Sequence, residues 1–309
     1  MRACSAPGKI VLFGEHAVVF GEPALAVAIS LRTTVSIAPS NRWLVNGESI
    51  DDERYRYVKT AIGLSGVRGP FSIGIDSKIP EGSGMGSSAA VAVATIGSLH
   101  SLQGNVDPRR IAQDAFEVEH LVQGRASPMD TSTSAHGHAV LLLPKEGDGF
   151  LWRIEKNERS WCLHHRDIPP LNIVVGYTGI GAATAPLVAQ VKDLASSSQR
   201  ARESIAEIGR ITLAGEEAIS QGDLGEVGRL MNRNHKLLNS INVGHPLLDR
   251  FVHAVRPFSY GAKLTGAGGG GSMIALTDKP DRVEKAIRDA GGTPFKVTVG
   301  QHGLEVVEG

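Results

Sequence analysis

The segment Pro80-Glu81-Gly82-Ser83-Gly84-Met85-Gly86-Ser87-Ser88-Ala89-Ala90 joins two stretches of opposite rhythm. Upstream, Phe71-Ser72-Ile73-Gly74-Ile75 alternates like a half-buried strand. Downstream, residues 89–99 are rich in Ala and Val, the pattern of a buried helix. A chain that leaves a strand, turns on three alternate glycines and enters a buried helix is committed to an arrangement mixing sheet and helix. Glycines let the backbone turn tightly and approach a ligand with no β-carbon in the way. Ser87 and Ser88 fall where the helix starts, with its first N–H groups unpaired and its dipole positive. Such a turn can cradle phosphate. The same residues also describe a tight turn with a serine N-cap and no ligand.

Two phosphate loops are excluded by spacing. A P-loop needs Lys directly after its last glycine, where Ser87 stands. A dinucleotide fingerprint needs Gly-x-Gly-x-x-Gly, whereas Gly82, Gly84 and Gly86 are spaced by two throughout. Asp107 lies at a suitable distance for a ribose-binding acid, but Asp107-Pro108 reads as the N-cap and first residue of a helix.

With 309 residues the chain accommodates about two domains and a sizeable core. Lys plus Arg and Asp plus Glu number 32 each, so the net charge is zero and nothing points to nucleic acid or an anionic membrane. Cys4 and Cys162 have neither metal-ligand nor CxxC spacing, and free thiols in a reducing cytoplasm are expected. The run Ile10-Val11-Leu12-Phe13 is broken at once by Gly14-Glu15-His16, too soon for a signal peptide, and residues 89–99 reach about half a membrane span. A soluble, cytoplasmic protein is the expectation.

Residues 10–13, 24–29 and 33–37 read as strands, followed by the glycine-loop unit and an amphipathic helix over 108–123. Residues 139–143 and 150–154 read as a closing hairpin. The interruption at Ile168-Pro169-Pro170 sets a boundary between residues 1–168 and 169–309. Beyond it come a buried strand over 171–177, a glycine-rich turn, helical stretches over 186–239 and a helix over 246–255. Strands at 262–264 and 272–276 flank a second glycine loop; a helix over 280–290 and a hairpin through Val299 and 304–307 complete the chain. This order suits a small α+β layer packed beside the first domain.

Glu119 shares the apolar face of the 108–123 helix with Ala112, Ala115, Val118 and Val122, where a carboxylate needs a partner or a metal. An ion pair with an unidentified base, or a helix rotated enough to wet the carboxylate, is the more ordinary reading of these residues alone. Asp130 follows that helix in Arg125-Ala126-Ser127-Pro128-Met129-Asp130-Thr131, which reads as a loop; it suits a catalytic carboxylate or an Asx-turn. Lys9, after Pro7-Gly8 and just before a strand, is either a surface residue or aimed into a cleft. The loop Gly266-Ala267-Gly268-Gly269-Gly270-Gly271 is too short and Ser-poor for a flexible linker, and an anion-accommodating turn is favoured. His136, His138, His164 and His165 lack a convincing third metal ligand, so a structural role is favoured. No Gly-x-Ser-x-Gly elbow occurs.

Three motifs in order, residues 6–17, 80–90 and 263–272, make the chain resemble the GHMP kinases over nearly its whole length. Ala6-Pro7-Gly8-Lys9-Ile10-Val11-Leu12-Phe13-Gly14-Glu15-His16-Ala17, Lys263-Leu264-Thr265-Gly266-Ala267-Gly268-Gly269-Gly270-Gly271 and Val243-Gly244-His245 are most similar to the archaeal mevalonate kinase branch. The resemblance implies an α+β GHMP kinase fold. Its N-terminal ATP-binding domain would be of the ribosomal-protein-S5-domain-2-like type and its C-terminal domain ferredoxin-like, with the active site in the cleft between them. It implies ATP and mevalonate as substrates, Mg²⁺ as cofactor and a homodimer. By resemblance, Gly82, Ser83, Gly84, Met85, Gly86, Ser87 and Ser88 would bind ATP. Ser88, less surely Ser87, would hold the metal with Glu119. Asp130 would be the base and Lys9 its electrostatic partner, and Glu15, His16, Thr184, Gly266 and Ala267 would line the substrate pocket.

An Asp shortly after Gly-Glu-His, expected of a galactokinase, is absent, and Lys9 with Asp130 disfavours homoserine kinase. Phosphomevalonate kinase is the nearest alternative, followed by a non-catalytic nucleotide-binding regulator on the same fold. The sequence Ala135-His136-Gly137-His138 departs from the small or Gly-rich segment usual after the family's catalytic Asp.

Overall fold

The computed structural model describes residues 1–124, 126–181 and 184–307; Arg125 of the 125–131 segment and Ala183 beside Thr184 lie outside the described residues, with Ala182, Glu308 and Gly309. The first part of the chain runs β1 (Arg2–Phe13), β2 (Ala24–Pro39), β3 (Leu44–Val45), β4 (Glu48–Ser49), α1 (Arg56–Ser65), β5 (Phe71–Ser77), α2 (Ser87–Leu102), α3 (Pro108–Gln123), α4 (Pro128–His136), β6 (Ala139–Leu143), β7 (Phe150–Lys156) and β8 (Arg159–Arg166). The second part runs β9 (Asn172–Tyr177), α5 (Thr184–Ser197), α6 (Gln199–Ser220), α7 (Leu224–Ser240), α8 (Pro246–Val255), β10 (Gly261–Thr265), β11 (Ser272–Leu276), α9 (Pro280–Asp289), β12 (Thr293–Thr298) and β13 (Glu305–Val307).

Among the described residues the strands form two sheets. In the larger, the order is β4-β3-β5-β2-β6-β8-β7, with β1 lying between β2 and β13; the smaller runs β10-β11-β9-β12. The long strand β1 serves two cores. Ile10, Leu12 and Phe13 join the core built by β9–β11 and the C-terminal helices, while Ala6 and Val11 join the one beneath α2 and α3. Burying a side chain of this size stabilises by roughly 1.5–3 kcal/mol. Gly215 on α6 gives Phe13 its place, since a β-carbon there would lie 2.4 Å from the ring. The Ala-rich α2 packs against β1 and β2 as well as α1 and α3, and Ser98 satisfies its buried hydroxyl on the Val35 carbonyl at 2.8 Å.

The structure departs from the sequence expectations in five places. Residues 24–29 and 33–37 belong to one uninterrupted strand, β2, and Lys9 lies inside β1, next to a register shift between Pro7 and Lys9. Asp130 is in the first turn of α4 instead of a loop: Ser127 caps the helix through the Met129 N–H and Pro128 starts it. The 139–143 and 150–154 segments do not pair with one another. Both pair with β8, which is joined to β7 by a two-residue turn at Asn157 (φ 48°) and Glu158 (φ 62°), a turn with positive φ but no glycine to announce it. The terminal hairpin is also absent: β12 edges the smaller sheet, while β13 pairs with β1. The last strand of the 169–309 segment thus lies in the larger sheet, beside β1. Leu304, just before it, occupies the space left by Gly97 of α2, where a β-carbon would lie 2.7 Å from its Cδ2.

Candidate active site

β1, the glycine turn and α4 meet at Lys9. Its backbone N–H donates to the Met85 carbonyl at 2.9 Å, and a β-carbon on Gly8 would lie 2.7 Å from that same oxygen. Ser134 of α4 donates to the Pro7 carbonyl at 2.7 Å, tying the helix to the strand. The Lys9 ammonium then stands 2.9 Å from Asp130 Oδ2; the lysine side chain is 5% exposed and the aspartate 33%. One carboxylate oxygen is held while the group retains access to solvent. The α4 N-terminus adds a favourable dipole to this charge.

Gly82 (φ 66°), Gly84 (φ 78°) and Gly86 (φ 76°) all use the left-handed region that side chains disfavour. Ser83 donates its hydroxyl to the Pro80 carbonyl at 2.7 Å and accepts from the Met85 N–H at 3.4 Å, while Met85 is fully buried, so their side chains fix the shape of the turn from within. α2 starts at Ser87 with no side-chain cap on its first N–H groups. Ser88 donates to Glu119 Oε1 at 2.7 Å, and Gln123, which also bonds the Tyr57 hydroxyl at 3.0 Å, donates to the same oxygen at 3.2 Å. Glu119 is buried, and burial together with the Asp130 charge pushes its carboxyl up to about 7, with Ser88 and Lys9 pulling the other way. Of the two serines it is Ser88 that touches Glu119.

The third motif closes against the first. Thr265 Oγ1 donates to the Val11 carbonyl and accepts from the Val11 N–H, both at 3.0 Å. A β-carbon on Gly266 would lie 3.5 Å from Gly84 Cα, so the two glycine loops touch. Glu15 pairs with Lys263, and His16 meets the Ala267 carbonyl through Nε2 at 2.8 Å. Burial pulls His16 below the ordinary histidine value. Thr184 opens α5 with an exposed side chain. The 266–271 loop is held along its length: Gly269 donates to the Val243 carbonyl at 3.0 Å and Gly271 to that of Ile180 at 2.8 Å.

The description "GHMP kinases N terminal domain" fits residues 54–138, and "GHMP kinases C terminal" fits residues 216–295. Mevalonate kinase of Pyrococcus abyssi is 39% identical, covering 98% of this chain and 97% of that one. That of Thermococcus onnurineus is 38% identical over 98% of both. The chain belongs to the GHMP kinases, in the mevalonate kinase branch. The solved structure of L. major mevalonate kinase in complex with R-mevalonate matches this GHMP kinase with a TM-score of 0.81 and 27% identity, covering 97% of this chain and 96% of that one.

Sequence reasoning missed several residues of this GHMP kinase's site. Lys263 and Asn234, both fully buried, converge on Glu15; Tyr57 and Gln123 complete the surroundings of Glu119. A signal existed for Lys263, a lysine inside a short apolar strand. Elsewhere, His136, His138, His165 and His302 gather at the far end of α4, with His136 Nε2 2.9 Å from His165 Nδ1. Among the described residues no group of three or more His, Cys, Asp or Glu side chains is disposed to hold a metal ion. Cys4 and Cys162 are free and buried, and among the described residues no helix is long and apolar enough to cross a membrane.

Proposed function

We propose that the chain transfers the γ-phosphoryl group of ATP to the primary hydroxyl of mevalonate, giving 5-phosphomevalonate for isoprenoid precursor synthesis. The observation that carries this reading is the Lys9–Asp130 pair, 2.9 Å apart at the mouth of an uncapped, glycine-lined helix start, in a chain similar end to end to mevalonate kinases. Asp130 accepts the hydroxyl proton as the oxygen attacks phosphorus. Lys9 fixes the carboxylate and stabilises the charge that develops. The N–H groups of the 82–88 segment hold the phosphates. Catalysis of this kind is positioning plus electrostatics, with no covalent enzyme intermediate.

Ser88 and Glu119 fit a magnesium ion. They are hard oxygen donors, and the buried Glu119 carboxylate contacts no cationic side chain among the described residues. Mg²⁺ keeps few protein ligands and takes the rest from water and phosphate, in keeping with a site of one carboxylate and one hydroxyl. When bound it neutralises phosphate charge.

The test is ADP release from Mg·ATP across mevalonate, phosphomevalonate, homoserine and galactose. Turnover with mevalonate alone is expected. Turnover with phosphomevalonate instead would move the substrate assignment, and tight ATP binding without turnover would favour a regulator.

A further inference from the structure

Glu15 follows the first motif's glycine, and the family resemblance makes it a pocket-lining residue, yet its carboxylate is committed elsewhere. Its side chain is 1% exposed and that of Lys263 is fully buried. Oε1 accepts from the Lys263 ammonium, and Oε2 from Asn234 Nδ2 at 3.2 Å. Lys263 spends a further proton on the Leu264 carbonyl at 2.7 Å. Each carboxylate oxygen already has a donor, and at 1% exposure the group offers almost no surface to a substrate atom.

The three residues come from different parts of the fold: Glu15 from the turn after β1, Lys263 from β10 and Asn234 from α7. Removing two charges from water costs several kcal/mol each, and a well-packed apolar pair is often as stable or more so. Stability alone is therefore a weak reason for an ion pair here. Geometry offers a stronger one. The next residue, His16, has φ 61° and ψ −41°, the strained centre of a γ-turn closed by the Ala17 N–H on the Glu15 carbonyl at 2.7 Å, which a non-glycine residue adopts only when its surroundings impose it. Its ring is anchored to Ala267, and Nδ1 is buried with no partner. Lys263 precedes the Thr265 that locks onto Val11 and the Gly266 that touches Gly84. One strut thus sets the turn carrying His16 against the loop that abuts the phosphate turn.

We propose that Glu15, Lys263 and Asn234 form a positioning strut joining the turn after β1 to α7 and β10, which acts on mevalonate through His16 without Glu15 touching the substrate. The inference rests on the mevalonate kinase reading, which the wild-type enzyme tests separately by its turnover with mevalonate.

A double-mutant cycle decides it. Glu15→Gln and Lys263→Met are assayed singly and together for kcat and for KM toward mevalonate and ATP, with thermal melts to verify folding. Each single variant is expected to raise the mevalonate KM about tenfold or more while the ATP KM stays within about twofold. The double variant should be no worse than the worse single, because residues acting through one shared interaction are strongly non-additive. Losses that multiply in the double variant would overturn the proposal, making Glu15 a direct substrate ligand. An unchanged mevalonate KM in both singles, or equal rises in both KM values, would also overturn it. Asn234→Ala, which leaves no charge unpaired, covers the case in which Lys263→Met fails to fold. It should raise the mevalonate KM selectively by a smaller factor, and an unaltered KM would count against the strut.

Discussion

Gly86 and Lys9 are in direct contact: a β-carbon on Gly86 would lie 2.9 Å from Lys9 Cγ and 3.1 Å from its Cε. The phosphate turn therefore packs on the stem of the lysine whose ammonium holds Asp130. A shift in either moves the other.

Gly86→Ala should be costly out of proportion to one methyl group. The φ of 76° disfavours any side chain, and the lysine stem cannot swing away without leaving Asp130. A loss of about 1–3 kcal/mol in stability is expected, together with a fall in kcat. Thermal melts beside steady-state kinetics would show both; a wild-type kcat would mean that Lys9 tolerates displacement.

Asp130→Asn keeps the shape of the side chain and removes its capacity to take a proton. Turnover should drop by roughly 10²–10⁴-fold, the usual worth of a general base, with ATP affinity near normal by calorimetry. Unaltered turnover would remove Asp130 from the base role.

Glu119→Ala takes away the carboxylate that Ser88 faces at 2.7 Å. The Mg²⁺ concentration for half-maximal rate should rise several-fold while the protein still binds mevalonate. An unchanged metal dependence would place the ion elsewhere.

Acid should loosen the far end of α4. Burial, reinforced by His165 and His138, holds His136 down to about 4, and burial lowers His138 too. The charged and titratable groups around them are His165, Asp167 and His302. With a folded value below the unfolded one near 6.5, the unfolded chain takes up the extra proton between the two. The contribution of His136 is complete above about 6.5 and falls as the pH drops towards 4. His136→Phe retains a ring against Trp152 and removes the titration, so the fall in Tm between pH 7 and 4.5 should become shallower. An identical Tm profile would acquit the cluster.

Much of this site was legible because its chemistry is local. The 80–90 turn, the helix start at Ser88 and the intruding carboxylate of Glu119 each declare themselves within a few neighbours. Glu15's partners did not, since they lie 219 and 248 residues away in the chain and only the fold joins them. The helix α4 was obscured by Thr131-Ser132-Thr133-Ser134, side chains that compete for backbone hydrogen bonds and read as loop. Ser127-Pro128 was the start signal there. Strand β8 escaped notice because its turn at Asn157-Glu158 carries no glycine. The destination of β13 is likewise a long-range fact, fixed by partners at the opposite end of the chain.

That last strand has a consequence for the order of folding. Ala3 pairs with Val307 and Ser5 with Glu305, so one edge of β1 finds its partner only after about 300 further residues have been synthesised. Until then the nascent N-terminal sheet presents unpaired N–H and C=O groups along its first-made strand, the kind of edge that recruits other chains.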